Sequence, residues 1–180
     1  MAAPPAGGPA ESMRPPPAKP RIVPFPTGPV TSRLPRSMND LIYPRSPREQ
    51  MDGWCYLPRF LDKVRLHLAG QLHADYQPNF AYKGFDAAWL EAAGLKAEDF
   101  IAVVRGTITD GQVFDWVRQN VKKSAAEKAK FNEYLLNRGR EAHDPAIRER
   151  LKQRKAESGL AHRDDITTFV DFIDADEKRH

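Results

Sequence analysis

The sequence has one cysteine, no long apolar run and no sustained alternation of apolar and polar residues, and each scarcity removes a class of protein. With Cys55 alone there is no intrachain disulfide, and a single thiol cannot build a cysteine-rich zinc framework. Between Trp54 and Tyr56, Cys55 reads as a small buried hydrophobe instead of a nucleophile. The longest apolar runs are three or four residues, such as Ile101, Ala102, Val103 and Val104. A membrane span needs roughly 18 to 20, so no membrane partner is expected. The first thirty residues lack the apolar core of a secretory signal, and prolines interrupt any amphipathic targeting helix. A cytoplasmic location follows as the expectation. No glycine-rich phosphate loop or strand-borne dinucleotide motif occurs, and no cofactor is expected. Without alternating strands bounded by hairpin turns, the fold class is all-α.

Proline and positive charge are plentiful but unevenly placed. Thirteen of the 16 prolines fall in the first 47 positions. Positions 1–48 carry seven Lys/Arg and two Asp/Glu, and positions 49–180 carry 21 and 22, so the net charge of +4 is +5 from the leader and −1 from the rest. The pI near 9.2 is therefore a property of a tail, which argues against a uniformly basic nucleic-acid-coating domain. Closely spaced prolines remove amide donors, and few large apolar side chains are present to offset the entropy of ordering. Residues 1–43 are expected to form a disordered, proline-rich basic leader: a plain solvated extension, a proline-rich ligand or a tether to an acidic partner. Residues 41–48 regain apolar character and are expected to dock as an extended strap on a helical domain over 44–180.

About seven short helices are predicted in that domain, most of them from start and stop signals. The first spans 58–69, with Pro58 at its start, Gly70 at its end and Leu57, Leu61, Val64 and Leu68 as its buried stripe. That stripe leaves Arg59, Asp62, Lys63, Arg65 and His67 on or near the other faces. A connection over 71–84 carries Tyr76, Phe80 and Tyr82, which are expected to pack. Further helices are predicted at 85–93 with Trp89 and Leu90 inward, 97–105 with Phe100, Ile101 and Val104 inward, and 110–120 with Val113, Trp116 and Val117 inward. The fourth is announced by a capping box from Thr109 to Gln112, and Ser124 with Glu127 announces a fifth, carrying Phe131, Tyr134 and Leu135. Asp144, Pro145 and Gly159 bracket a peripheral, basic sixth helix. The seventh is predicted to begin near Asp164 and Asp165 and to be among the most buried, through Ile166, Phe169, Val170 and Ile173.

Polar chemistry concentrates where the strap meets the first helix. Arg45, Arg48, Arg59 and Lys63 are candidate anion-binding residues, because guanidinium groups offer paired donors to carboxylate or phosphate, with Asp62 orienting one of them. Weighed against this is a structural reading in which the arginines tie the strap down through Asp62 and backbone carbonyls. Asp62 or His67 is the candidate acid or base, with Arg48 or Arg59 as anion anchor, of an alternative, a small metal-independent enzyme acting on an anionic small molecule. His73, His143 and His162 sit in no nucleophile or metal spacing. Glu157, His162, Asp164 and Asp165 offer carboxylate and imidazole ligands, but a helix start accounts for the two aspartates, and no metal is expected. The basic sixth helix with the leader's arginines gives a further alternative, weak and nonspecific nucleic-acid binding; a near-neutral domain without interleaved aromatics argues against it. The leading expectation is a noncatalytic binding or interaction module that recognises an anionic ligand or partner.

Several short blocks in order carry a resemblance: Arg45, Ser46, Pro47 and Arg48; Asp52, Gly53 and Trp54; residues 57–65; His67, Leu68, Ala69 and Gly70; Lys83, Gly84 and Phe85; and residues 155–164. Over about 44–177 the chain resembles DUF family 5069, small bacterial proteins known as a domain of unknown function. The resemblance implies a bacterial cytosolic protein and brings with it no activity, cofactor or catalytic residue.

Overall fold

The computed structural model describes residues 41–140 and 144–179. The leader expected over 1–43 lies outside them except for its last three residues, as does His143. Seven α-helices make up most of what is described: α1 (Leu57–Leu68), α2 (Gly84–Ala93), α3 (Ala97–Arg105), α4 (Asp110–Asn120), α5 (Ala125–Asn137), α6 (Pro145–Glu157) and α7 (Phe169–Asp176). One 3-10 turn, Gln77–Asn79, orders the connection between α1 and α2.

The all-α expectation needs one correction. A two-stranded antiparallel ribbon, β1 (Gln50–Met51) and β2 (Trp54–Cys55), precedes α1. Its turn is Asp52 and Gly53, both with positive φ (51° and 74°), the conformation a two-residue hairpin requires and that Asp-Gly favours. Asn132 of α5 clamps the ribbon by accepting from the Cys55 amide (2.8 Å) and donating to the Gly53 carbonyl (2.8 Å). Lys128 holds the Asp52 carboxylate at 2.6 Å. Packing on α5 thus supplies what two residue pairs alone cannot.

Helix ends follow local chemistry closely. Thr109 with Gln112 and Ser124 with Glu127 both close reciprocal capping boxes, and Asp144 caps α6. The seventh helix departs from expectation, beginning at Phe169 behind a Thr168–Asp171 box. Asp165 is held instead by the guanidinium of Arg163 (2.6 and 2.7 Å) in the turn before it. Nor is α7 mostly buried: only Val170 and Asp174 of its residues are, with Phe169, Phe172 and Ile173 at half depth.

The core is aromatic. Phe60, Trp89 and Phe100 meet at ring centroid separations of 5.0–5.7 Å, and Trp54 packs edge-on to Trp89 (6.0 Å) and Phe131 (5.5 Å). These are the offset and T-shaped arrangements that ring quadrupoles favour. Cys55 lies within this cluster, and burial pushes its thiol pKa up. Leu68, Tyr82 and Tyr134 are exposed against expectation; Tyr134 instead lies under the guanidinium of Arg138. Gly139, which leaves α5 at φ +106°, is fixed by crowding, since an added Cβ would stand 3.0 Å from Leu151 and 3.3 Å from Phe169.

Candidate functional site

Arg59 and Lys63, expected on outward faces of α1, are 3% and 5% exposed. A charged side chain at that depth requires a partner, and for both the partner comes from a distant part of the chain. Arg59 makes a paired contact with Glu177 (2.5 and 2.8 Å) and donates to the carbonyls of Pro44 (3.2 Å) and Arg45 (2.8 Å). Lys63 donates to both oxygens of Asp86 (2.6 and 2.8 Å), and Asp86 also accepts from the Tyr56 hydroxyl (2.7 Å) and the Ala81 amide (2.9 Å). Arg59 and Lys63 share the face of Tyr76, whose hydroxyl donates to Glu177 (2.6 Å).

Electrostatics follow burial and pairing. Loss of water opposes the charge on Arg59, and the bonds to Glu177 more than restore it, so its pKa rises. The same burial opposes the Glu177 carboxylate, yet Arg59, Tyr76 and Arg179 hold it below the usual carboxylate range. For Lys63, desolvation wins over Asp86 and the pKa falls. Burial next to Asp86 drives the Tyr56 hydroxyl well above its ordinary value, leaving it a donor.

The strap runs between these groups and α7. Its Pro44 and Pro47 are buried. The side chain of Arg45 forks onto Asp62 (2.7 and 2.8 Å), the Arg45 amide bonds the same carboxylate (2.8 Å), and Arg45 also reaches Asp110 at 2.9 Å. Arg65 takes the other oxygen of Asp110 at 2.7 Å, so strap, α1 and the start of α4 share one ionic chain. Arg48 reaches Asp171 and, at 3.4 Å, Asp174 of α7. Arg179 bonds Glu177, Asp174 and the Pro44 carbonyl.

The four candidate anion-binding cations are thus gathered along one seam, and each faces a carboxylate of the chain itself. Six cations (Arg45, Arg48, Arg59, Lys63, Arg65, Arg179) meet six carboxylates (Asp62, Asp86, Asp110, Asp171, Asp174, Glu177). The two alternative acid–base candidates lie on different faces of α1. Asp62 and His67 are five positions apart on α1, about 140° around its axis at 3.6 residues per turn; Asp62 is engaged by Arg45, whereas His67 is exposed and stacks on Phe80 with centroids 4.4 Å apart. His73 lies on the surface beside Asp75, and His162 is exposed. Among the described residues, Glu157, His162, Asp164 and Asp165 form no cluster able to hold a metal ion.

Sequence reasoning missed Asp86, Asp110, Asp171, Asp174, Glu177 and Arg179. Asp86, Asp110 and Asp171 sit in first helical turns, where the helix dipole already accounts for an acid. No local signal distinguished them. Among the described residues no helix is long and apolar enough to cross a membrane. No curated protein matches the chain. Residues 42–179, which hold the strap, the seam and all seven helices, match the family described as Domain of unknown function (DUF5069), and the chain belongs to that family.

Proposed function

We propose that the protein is a noncatalytic binding module of the bacterial cytoplasm that recognises an anionic group on a ligand or partner through the strap edge, with Arg48 as the reaching side chain. Arg59 and Lys63 are the buried struts of that edge and Arg45 its hinge on Asp62. The observation that carries the reading is how little holds Arg48 in place. Its side chain is 50% exposed, and both of its partners keep other bonds when it leaves. One oxygen of Asp171 accepts from the amides of Thr167 (3.1 Å) and Thr168 (2.9 Å), while Asp174 retains Ser46 (2.9 Å) and Arg179 (3.3 Å). An exposed ion pair contributes only about 0–1 kcal/mol, so an external carboxylate or phosphate can take the guanidinium at small cost. The acid–base candidates, by contrast, share no site.

Native mass spectrometry of the protein purified gently from its own host tests this. The wild type is expected to retain an anionic ligand or partner that Arg48→Ala loses, with the variant melting within a few degrees of the parent. Equal retention by Arg48→Ala, or no retained species in either, refutes the reading.

A further inference from the structure

The seam is balanced internally, but a second collection of cations is not. Between α6 and the segments that flank it lies a surface hollow of about 860 Å³. Arg140, Arg148, Lys152 and Lys155 line it together with Glu149 and Asp164, a local sum of four positive and two negative charges. No carboxylate among the described residues lies within ion-pair distance of Arg140, Arg148 or Lys155, and Lys152 reaches Glu149 only at 3.7 Å. The Nε of Arg148 is buried without a hydrogen-bond partner among the described residues. That nitrogen has almost no accessible surface, so it is the outer guanidinium nitrogens of Arg148 that an anionic oxygen in the hollow would meet.

Lys155 adds fixed geometry. Its ammonium donates to the carbonyls of Arg163 (2.6 Å) and Ile166 (3.3 Å), which pins it at the hollow's edge with one of its three donors uncommitted. Carbonyl oxygens do not cancel its charge. Gly139, Leu151 and Ile166 also line the hollow; Leu151 and Ile166 are nearly buried, at 5% and 4% exposure, and supply an apolar floor.

We propose that this hollow binds the phosphate group of a small phosphomonoester, with the dianion set against Arg148, Arg140 and Lys155 and the apolar part of the molecule over the floor. A local excess of two positive charges matches a phosphate dianion, and arginine forks match its oxygens. A nucleic acid fits less well. Glu149 and Asp164 repel a polyanion laid along the hollow, and none of the lining residues is aromatic, so there is no platform for stacked bases. Arg48 does not line the hollow; it reaches it only through Asp171, which bonds Thr167, so the two proposals are tested by different residues.

The test is an amide-resolved NMR titration of the full chain with inorganic phosphate and then with phenyl phosphate, at constant ionic strength. Saturable shifts are expected on α6 and residues 163–167, with phenyl phosphate binding more tightly than inorganic phosphate. Arg148→Gln and Arg140→Gln, each checked by circular dichroism to be folded, are expected to weaken binding about tenfold or more, the scale of one charge-assisted hydrogen bond. Arg48→Ala is expected to leave it unchanged. Shifts that never saturate, shifts confined to the strap, or wild-type affinity in both arginine variants overturn the site. Equal binding of the two probes overturns the monoester assignment. An oligonucleotide that binds through Arg148 where neither probe does replaces it with a nucleic-acid site.

Discussion

Glu177→Ala removes a carboxylate that bonds Arg59 twice and Tyr76 and Arg179 once each. Breaking a buried ion pair from one side costs about 3–5 kcal/mol, because the remaining charge is stranded. Arginine cannot escape by losing its proton. Its Nη1, however, keeps the carbonyls of Pro44 and Arg45, and Arg179 keeps Asp174, which places the expected loss at the lower end, about 3 kcal/mol. That is a large share of the roughly 5–15 kcal/mol that stabilises a domain. Urea unfolding followed by helical circular dichroism measures it; with a slope of about 2 kcal/mol per molar, the midpoint should fall by about 1.5 M. The loss also has a pH signature. The folded-state pKa of Glu177 lies below its ordinary 4.5, so its contribution is fully present above that value and disappears as pH falls through the folded pKa. The gap between wild type and variant should therefore narrow progressively as pH falls below 4.5. A difference under about 1 kcal/mol at pH 7, or one that persists unchanged to pH 3, would refute a carboxylate-dependent seam.

Two further substitutions probe different physics. Asp86→Ala strands Lys63 and the Ala81 amide and should cost about 3–5 kcal/mol at pH 7; because lysine can discharge and burial already lowers the Lys63 pKa, the gap measured by urea unfolding should narrow toward pH 10, and a pH-independent gap would argue against a charged Lys63. Gly139→Ala forces a left-handed alanine against Leu151 and Phe169 and should cost about 1–3 kcal/mol, read as a melting temperature lowered by several degrees; an unchanged melt contradicts the crowding.

What could be read from the sequence was whatever is decided within a few residues. Helix α3 and helix α4 run where their first-turn acids, capping box and following glycine place them. The start of α7 misled because two rules competed: Asp164 and Asp165 resemble a first turn, but Arg163 captures Asp165 and the Thr168–Asp171 box opens the helix four residues later. The ribbon's Asp-Gly turn was visible in the chain, but strands of two residues have no alternation to detect, and Asn132 that clamps them is 77 residues from Cys55. The burial of Arg59 and Lys63 was illegible for the same reason. Their partners lie 118 and 23 positions away, and in a helix drawn alone they occupy a polar face. That arginines tie the strap down through Asp62 and backbone carbonyls was one of the two readings the sequence offered; the other five carboxylates that face these cations were not foreseen.

The contacts from Arg59 to Glu177 and from Pro44 to Arg179 span 118 and 135 positions. During synthesis the strap and α1 are made first, and Arg59 waits for its counter-charge until residue 177 has been added. Until then the nascent domain carries an unmatched cation at a site meant for its interior, so its final closure is postponed to the end of translation of this region. A chain ending at Asp176 would hold all seven helices and still lack the carboxylate that pairs Arg59. The Arg59–Glu177 and Pro44–Arg179 contacts thereby make the stability of the strap and α1 depend on a turn more than a hundred positions away.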